Sequence, residues 1–298
     1  CFEDMEANKS WQSGFITREV AKLPSNFRNQ EALEDFLISN HITGIEGVDT
    51  RAITKILREK GTMRGMITTD ENYNLDAVIS KVKEFEIGDV VAMTTCKEIE
   101  HFKPENGTCR FKVAVIDLGA KKNIIRELVN RNCDVTVYPS YTKAEDILET
   151  HPDGIMLTNG PGDPKTNVGV IEEIKKLFAT KTPIFAICLG HQLLALANGA
   201  DTEKMKYGHR GANHPVKDLK TGKVYISTQN HGYMVKEATI DRDIAEVSFV
   251  NVNDGTVEGV HYLGKNVQTV QFHPEACAGP LDTNYLFDEF MNMMEVSK

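Results

Sequence analysis

The residue best placed for covalent chemistry is Cys188, in the stretch "PIFAICLGHQLLALAN" at residues 183–198. It ends a short apolar run and precedes a helix-like run, with Gly190 two residues on. A small buried hydrophobe accounts for the apolar neighbours but not for the glycine. A nucleophile on a sharp strand-to-helix turn accounts for both, because glycine lets a tight turn form without a side-chain clash. Amide N–H groups at a helix start also favour negative charge, which raises the thiolate fraction. The N–H of Leu189 would then point at the oxygen of an attacked carbonyl.

A cysteine nucleophile needs a base and a third group to orient that base. Among nine histidines, His191, His209, His214 and His231 stand in polar or loop-like surroundings that suit a solvated ring equally well. His273 ends the run "NVQTVQF", and "HPE" places Glu275 two residues on, with Pro274 stiffening the link. A third strand end carries "LTNGPGDP" at 157–164, where Gly160 and Gly162 can bring bare backbone N–H groups to a ligand and complete an oxyanion hole. Each motif alone reads as easily as a turn; together, at strand ends of complementary type, they favour catalysis. The sulfur is expected to be poised, ionised and within reach of the imidazole, not sealed in the interior. Cys277 follows His273 by four residues, but no other ligand spacing supports a metal pair, and no metal is expected.

The elements that must position these residues read from their periodicity. "FKVAVIDLG", "DVTVYP", "GIMLTNG" and "PIFAIC" are short apolar strands, alternating with helix patterns in "AKKNIIRELVNRN", "KAEDILETH" and "GVIEEIKKLFAT". That alternation implies crossover units and a parallel sheet covered on both faces, with ligands gathering at the strands' carboxyl ends. From about residue 201 the segments turn strand-rich ("KVYISTQN", "TVEGVHY", "NVQTVQFH") before a closing helix, "TNYLFDEFMNMM". The first third differs. "NQEALEDFLISN", "DTRAITKILREKG" and "NLDAVISKVKEF" have helical spacing, the second with an Asp49 cap and a stop at Gly61. "CKEIEHFKPENGTC" reads as a linker. The expected division is residues 1–110 and 111–298.

Composition narrows the function classes. The 298 residues hold 34 Lys and Arg against 43 Asp and Glu, a formal charge of −9 that argues against tracking a nucleic-acid backbone. No apolar stretch approaches a membrane span, and the acidic start "CFEDMEANKSW" lacks a secretory leader's apolar core. Six scattered cysteines without a CxxC pair fit a reducing, cytoplasmic setting. No Walker-type phosphate loop occurs.

In order along the chain, "NGPGDP", "CLGHQ" and "FHPE" resemble the motifs of the class I, triad-type glutamine amidotransferase domain. Ala186 departs from the Gly that many relatives carry two residues before the nucleophile. "GHRGANHPV" (208–216), "STQNHGYMV" (227–235), "LPSNFRNQEALEDFL" and "GIEGVDTRAITKILREKGTMRGMI" are similar to segments of the carbamoyl-phosphate synthetase small-subunit family. The resemblance covers essentially the whole chain. It implies an α/β amidotransferase domain, with a mostly parallel or mixed sheet flanked by helices, behind a smaller α/β amino-terminal domain. Since the family ordinarily carries a further half-domain before the point where Cys1 stands, that smaller domain is expected to be truncated.

The resemblance also implies roles. Cys188, His273 and Glu275 would form the triad that hydrolyses the side-chain amide of L-glutamine. Gly160, Gly162 and Leu189 would line the oxyanion hole, and Gln192, Asn230, Gly232 and Tyr233, alongside Leu189, would contact the amino acid's backbone end. Tyr233 stands where relatives often show Phe. No cofactor is expected in this chain; ATP and Mg belong on a large-subunit partner that receives the ammonia, and neither nucleic acid nor membrane is an expected partner. Other readings are the amidotransferase component of another synthase such as anthranilate synthase, a non-catalytic regulatory subunit on the same fold, and a stand-alone cysteine hydrolase.

Overall fold

Helix-end signals in the first third act as their chemistry requires. Described in chain order, this part holds β1 (Gly14–Ile16), α1 (Leu33–Ser39), β2 (Thr43–Ile45), α2 (Thr50–Lys60) and α3 (Leu75–Glu84). Asp49 caps α2 by accepting from Ala52 N at 2.9 Å, and Gly61, at φ +89°, ends it. Asn74 caps α3 through Ala77 N at 3.0 Å. β1 and β2 pair in parallel, and Leu37 and Ile42 are buried. The computed structural model describes residues 1–105 and 107–297, and it separates Cys1–Gly88 from Asp89–Lys298 as two compact units.

The second unit begins with α4 (Val90–Thr94) and β3 (Glu100–Phe102), then runs through β4 (Phe111–Asp117), α5 (Lys122–Asn130), β5 (Cys133–Pro139), α6 (Ala144–Leu148) and β6 (Gly154–Leu157). It continues with α7 (Val168–Phe178), β7 (Ile184–Ile187), α8 (Leu189–Ala197), β8 (Thr202–Asp218), β9 (Val224–Val235), β10 (Ala245–Asn251), β11 (Val257–Tyr262), β12 (Val267–Val270) and α9 (Tyr285–Ser297). The compact units divide at 88/89, and the segment read as a linker contributes to the second, where Glu100, His101 and Phe102 pair antiparallel with β5. A three-residue edge strand with charged neighbours carries no periodicity to read.

All ten strands of this unit form one sheet in the order β3-β5-β4-β6-β7-β12-β11-β10-β8-β9. The strands β5, β4, β6, β7 and β12 are mutually parallel, as the strand–helix alternation requires. The later strands add an antiparallel wing. Successive side chains on a strand face opposite ways, and the central strands feed two cores in alternation. Ala114, Ile116, Ile155, Leu157, Ile184 and Ala186 join one cluster with residues of α6, α7 and α8. Val113, Val115, Met156, Phe185 and Ile187 join the other with residues of α5 and α9. Phe185 meets Phe287 edge-on at 5.6 Å and Phe290 at 5.8 Å. Replacing it by Ala would cost about 3–5 kcal/mol.

Candidate active site

β7 runs between β6 and β12, with Leu157 beside Ala186 and Val270 beside Ile187. The carboxyl ends of these three strands therefore carry the Gly160–Gly162 loop, Cys188 and His273 side by side. β9 joins them through a bridge between Thr228 and His273, in which His273 N donates to Thr228 O at 2.9 Å. That brings Asn230, Gly232 and Tyr233 to the same end of the sheet.

Cys188 caps α8 at φ +53° and ψ −104°, a conformation an L side chain rarely adopts. Holding it costs on the order of 1–3 kcal/mol, which the surrounding packing must offset. Its own N–H donates to Val270 O at 2.8 Å, and Gly190 N donates to Thr158 O at 3.0 Å, pinning the turn to both neighbouring strands. The left-handed residue is thus the cysteine. Gly190 has a different task from the one its type suggested, because a Cβ there would lie 2.5 Å from Leu157 O, so the glycine lets α8 press onto β6.

His273 is close enough to the Cys188 sulfur to interact with it electrostatically, and its Nδ1 lies 2.6 Å from Glu275 Oε1. Burial opposes charge on His273, but Glu275 and then Cys188 outweigh it and hold the imidazole well above its ordinary pKa. Burial likewise disfavours the Glu275 carboxylate, and His273 and Lys121 overcome it, so Glu275 titrates below its ordinary value. Lys121 Nζ stands 3.1 Å from Glu275 Oε1. Sequence reasoning missed this lysine; its sole signal was a position just past the carboxyl end of "FKVAVIDLG". Asp117 shapes that turn, accepting from Gly119 N at 2.9 Å and Ala120 N at 2.7 Å.

The rim is equally close-fitted. A Cβ on Gly160 would meet Leu118 O at 2.2 Å, and Gly162 takes φ +96°. Among the described residues, the N–H groups of Leu189, Gly160 and Gly162 have no protein acceptor, as donors reserved for a ligand oxygen require. Gln192 directs Nε2 to Tyr233 O at 2.9 Å and to Gln271 Oε1 at 2.8 Å, which ties α8 to β9 and β12. Burial, and then the nearby Asp163 carboxylate, raise the Tyr233 pKa, and the phenol of β9 lies close to the Gly-Pro loop. Asn230 is exposed.

Two expectations need correction. Cys188 is 4% exposed and lies in the core cluster that holds Phe185, Ile187, Val270 and Phe272. Enclosure strengthens electrostatics and excludes competing water. His191, His209 and His231 are buried rather than solvated. His191 Nδ1 lies 2.7 Å from Thr269 Oγ1. Local polarity misled here because the polar neighbours Arg210 and Asn230 are exposed while the His209 and His231 rings are buried, and His191 lies on α8 against Thr269 of β12.

Comparison with known proteins now gives this geometry a relation. Residues 114–293 match the family Glutamine amidotransferase class-I, and residues 1–67 match Carbamoyl-phosphate synthase small chain, CPSase domain. The carbamoyl phosphate synthase small chain of Clostridium perfringens is 50% identical over 289 residues, which is 97% of this chain and 80% of that one. That of Oceanobacillus iheyensis is 48% identical over 296 residues, 99% of this chain and 80% of its own length. A solved structure described as a GMP synthase component from Thermoplasma acidophilum overlays 62% of this chain and 94% of its own, with a TM-score of 0.54 and 21% identity, a likeness of fold alone. With half its residues shared across nearly its full length, the chain belongs to the carbamoyl phosphate synthase small chain family and contains a class-I glutamine amidotransferase domain.

Proposed function

We propose that this chain is the glutamine-hydrolysing subunit of a carbamoyl phosphate synthase. The observation that carries the reading is the chain of contacts from the Cys188 sulfur through His273 to Glu275, on a left-handed turn at the carboxyl end of a parallel strand. The Cys188 sulfur attacks the carboxamide carbon of L-glutamine, forming a C–S bond as the carbonyl π electrons move to oxygen. The N–H groups of Leu189 and the Gly160–Gly162 loop hold that oxyanion. His273 gives its proton to the departing nitrogen, the C–N bond breaks, and ammonia leaves a γ-glutamyl thioester. His273 then takes a proton from water, whose oxygen attacks the thioester carbon; glutamate and the Cys188 sulfur are released. Glu275, braced by Lys121, holds the ring throughout. Gln192, Asn230, Gly232 and Tyr233 bind the amino acid's backbone end.

The second half of the reaction belongs to a large-subunit partner holding bicarbonate, ATP and Mg. Ammonia in neutral water is mostly ammonium, a poor nucleophile, so it passes to that partner by an enclosed route. The setting is cytoplasmic; no helix among the described residues is long and apolar enough to cross a membrane. Cys188→Ala in the reconstituted complex tests the reading. Glutamine-dependent synthesis should vanish while ammonia-dependent synthesis survives. Undiminished glutamine hydrolysis by the variant would overturn it.

A further inference from the structure

Where β8, β9 and β11 come together, a second group of chemistry-bearing side chains stands apart from the Cys188 chain of contacts. His209 and His231 are register partners on β8 and β9, and Glu258 lies on β11. All three are buried, Glu258 completely. One ligand atom from each lies within 4.8 Å of the other two.

Their hydrogen bonds include one from Asn251 Nδ2 to Glu258 Oε1 at 3.3 Å. His209 Nε2 lies 2.7 Å from Asp254 Oδ2, and its Nδ1 lies 3.2 Å from Glu258 Oε1. His231 Nδ1 lies 2.8 Å from Tyr233 O, while Nε2 lies 3.2 Å from Gln229 Oε1. The Tyr233 carbonyl can only accept, so Nδ1 carries the ring's proton and Nε2 keeps a lone pair. Glu258 Oε2 is buried with no hydrogen-bond partner. A carboxylate oxygen in that state is costly, and it calls for a counterpart.

A proton on His209 Nδ1 answers only part of this. It satisfies Glu258 Oε1 but leaves Oε2 and the His231 lone pair without a donor. A divalent cation answers all of it. Zinc bonds of about 2.0–2.1 Å place tetrahedral ligand atoms roughly 3.3 Å apart, close to the 3.2 Å already present between His209 Nδ1 and Glu258 Oε1. Two imidazoles and one carboxylate are a zinc-type donor set. The outer partners are those such ligands use, a carboxylate (Asp254) behind one histidine and a carbonyl (Tyr233) behind the other. We propose that His209, His231 and Glu258 form a zinc-class divalent-cation site that staples the β8–β9 hairpin to β11.

The site owes nothing to the triad reading, and the test keeps the two separate. The full chain is freed of metal and titrated with zinc and with cobalt(II) in a Cys188→Ser background, which removes a sulfur ligand that could compete. One equivalent should bind and raise the thermal midpoint. Bound cobalt should show tetrahedral visible bands without a thiolate charge-transfer band. Glu258→Gln should abolish stoichiometric binding. Asp254→Asn, at a side chain 42% exposed and so safe for folding, should weaken it about 10–100-fold. Absence of stoichiometric binding, a thiolate band, or affinity unchanged in Asp254→Asn would each overturn the proposal.

Discussion

Gly190→Ala is the perturbation that most directly asks whether the nucleophile's position is set by packing of α8 on β6. The added Cβ would meet Leu157 O at 2.5 Å, Leu157 Cβ at 2.8 Å and Leu157 C at 2.9 Å. These are atoms of a strand paired on both sides, to β4 and to β7, so they cannot yield. Reaching an ordinary 3.4 Å contact requires α8 to retreat by about 0.9 Å. The helix begins at Leu189 and is capped by Cys188, so the sulfur and the Leu189 N–H move with it. A displacement of about 1 Å in a reacting group costs roughly 10²-fold in rate, and overpacking costs about 1–3 kcal/mol in stability. The assay is kcat for glutamate release, alongside urea unfolding of the same preparation. Gly169→Ala is the control, since a Cβ on this first-turn helix residue meets nothing within 4 Å; it should keep kcat and gain up to about 1 kcal/mol. If Gly190→Ala lost stability but kept full kcat, the coupling of helix seat to sulfur position would be refuted.

Tyr233→Phe removes the hydroxyl that faces the Asp163 carboxylate while keeping the ring. A polar interaction of about 1 kcal/mol predicts a roughly 5-fold rise in KM for glutamine with kcat nearly intact; an unchanged KM would show the link to be idle. Burial pushes the His191 pKa down to about 3, below the roughly 6.5 of an unfolded histidine. Between those values the unfolded chain binds the extra proton, so stability is full above about 6.5 and falls with pH, by about 2 kcal/mol at pH 5. Urea unfolding at pH 7 and pH 5 measures it, and His191→Gln should flatten the slope; an equal slope in the variant would assign the acid sensitivity elsewhere.

What the sequence determined by itself is local. Strands Phe111–Asp117 and Ile184–Ile187, the helices after them, the Asp49 cap and the Gly61 stop follow from periodicity and end chemistry over a few neighbouring residues. Cys188 and His273 were legible because each stands at the end of an apolar run, and Glu275 because it follows His273 by two. Tertiary structure decided what depends on strand order. Only the placing of β12 against β7 brings His273 to Cys188, and only the return of β9 brings Tyr233 to Asp163. The same sheet buried His191, His209 and His231, whose local surroundings looked polar, and set Glu258 against two of them. Side chains distant in sequence acquire their partners from sheet pairing, and short-range patterns carry no term for it.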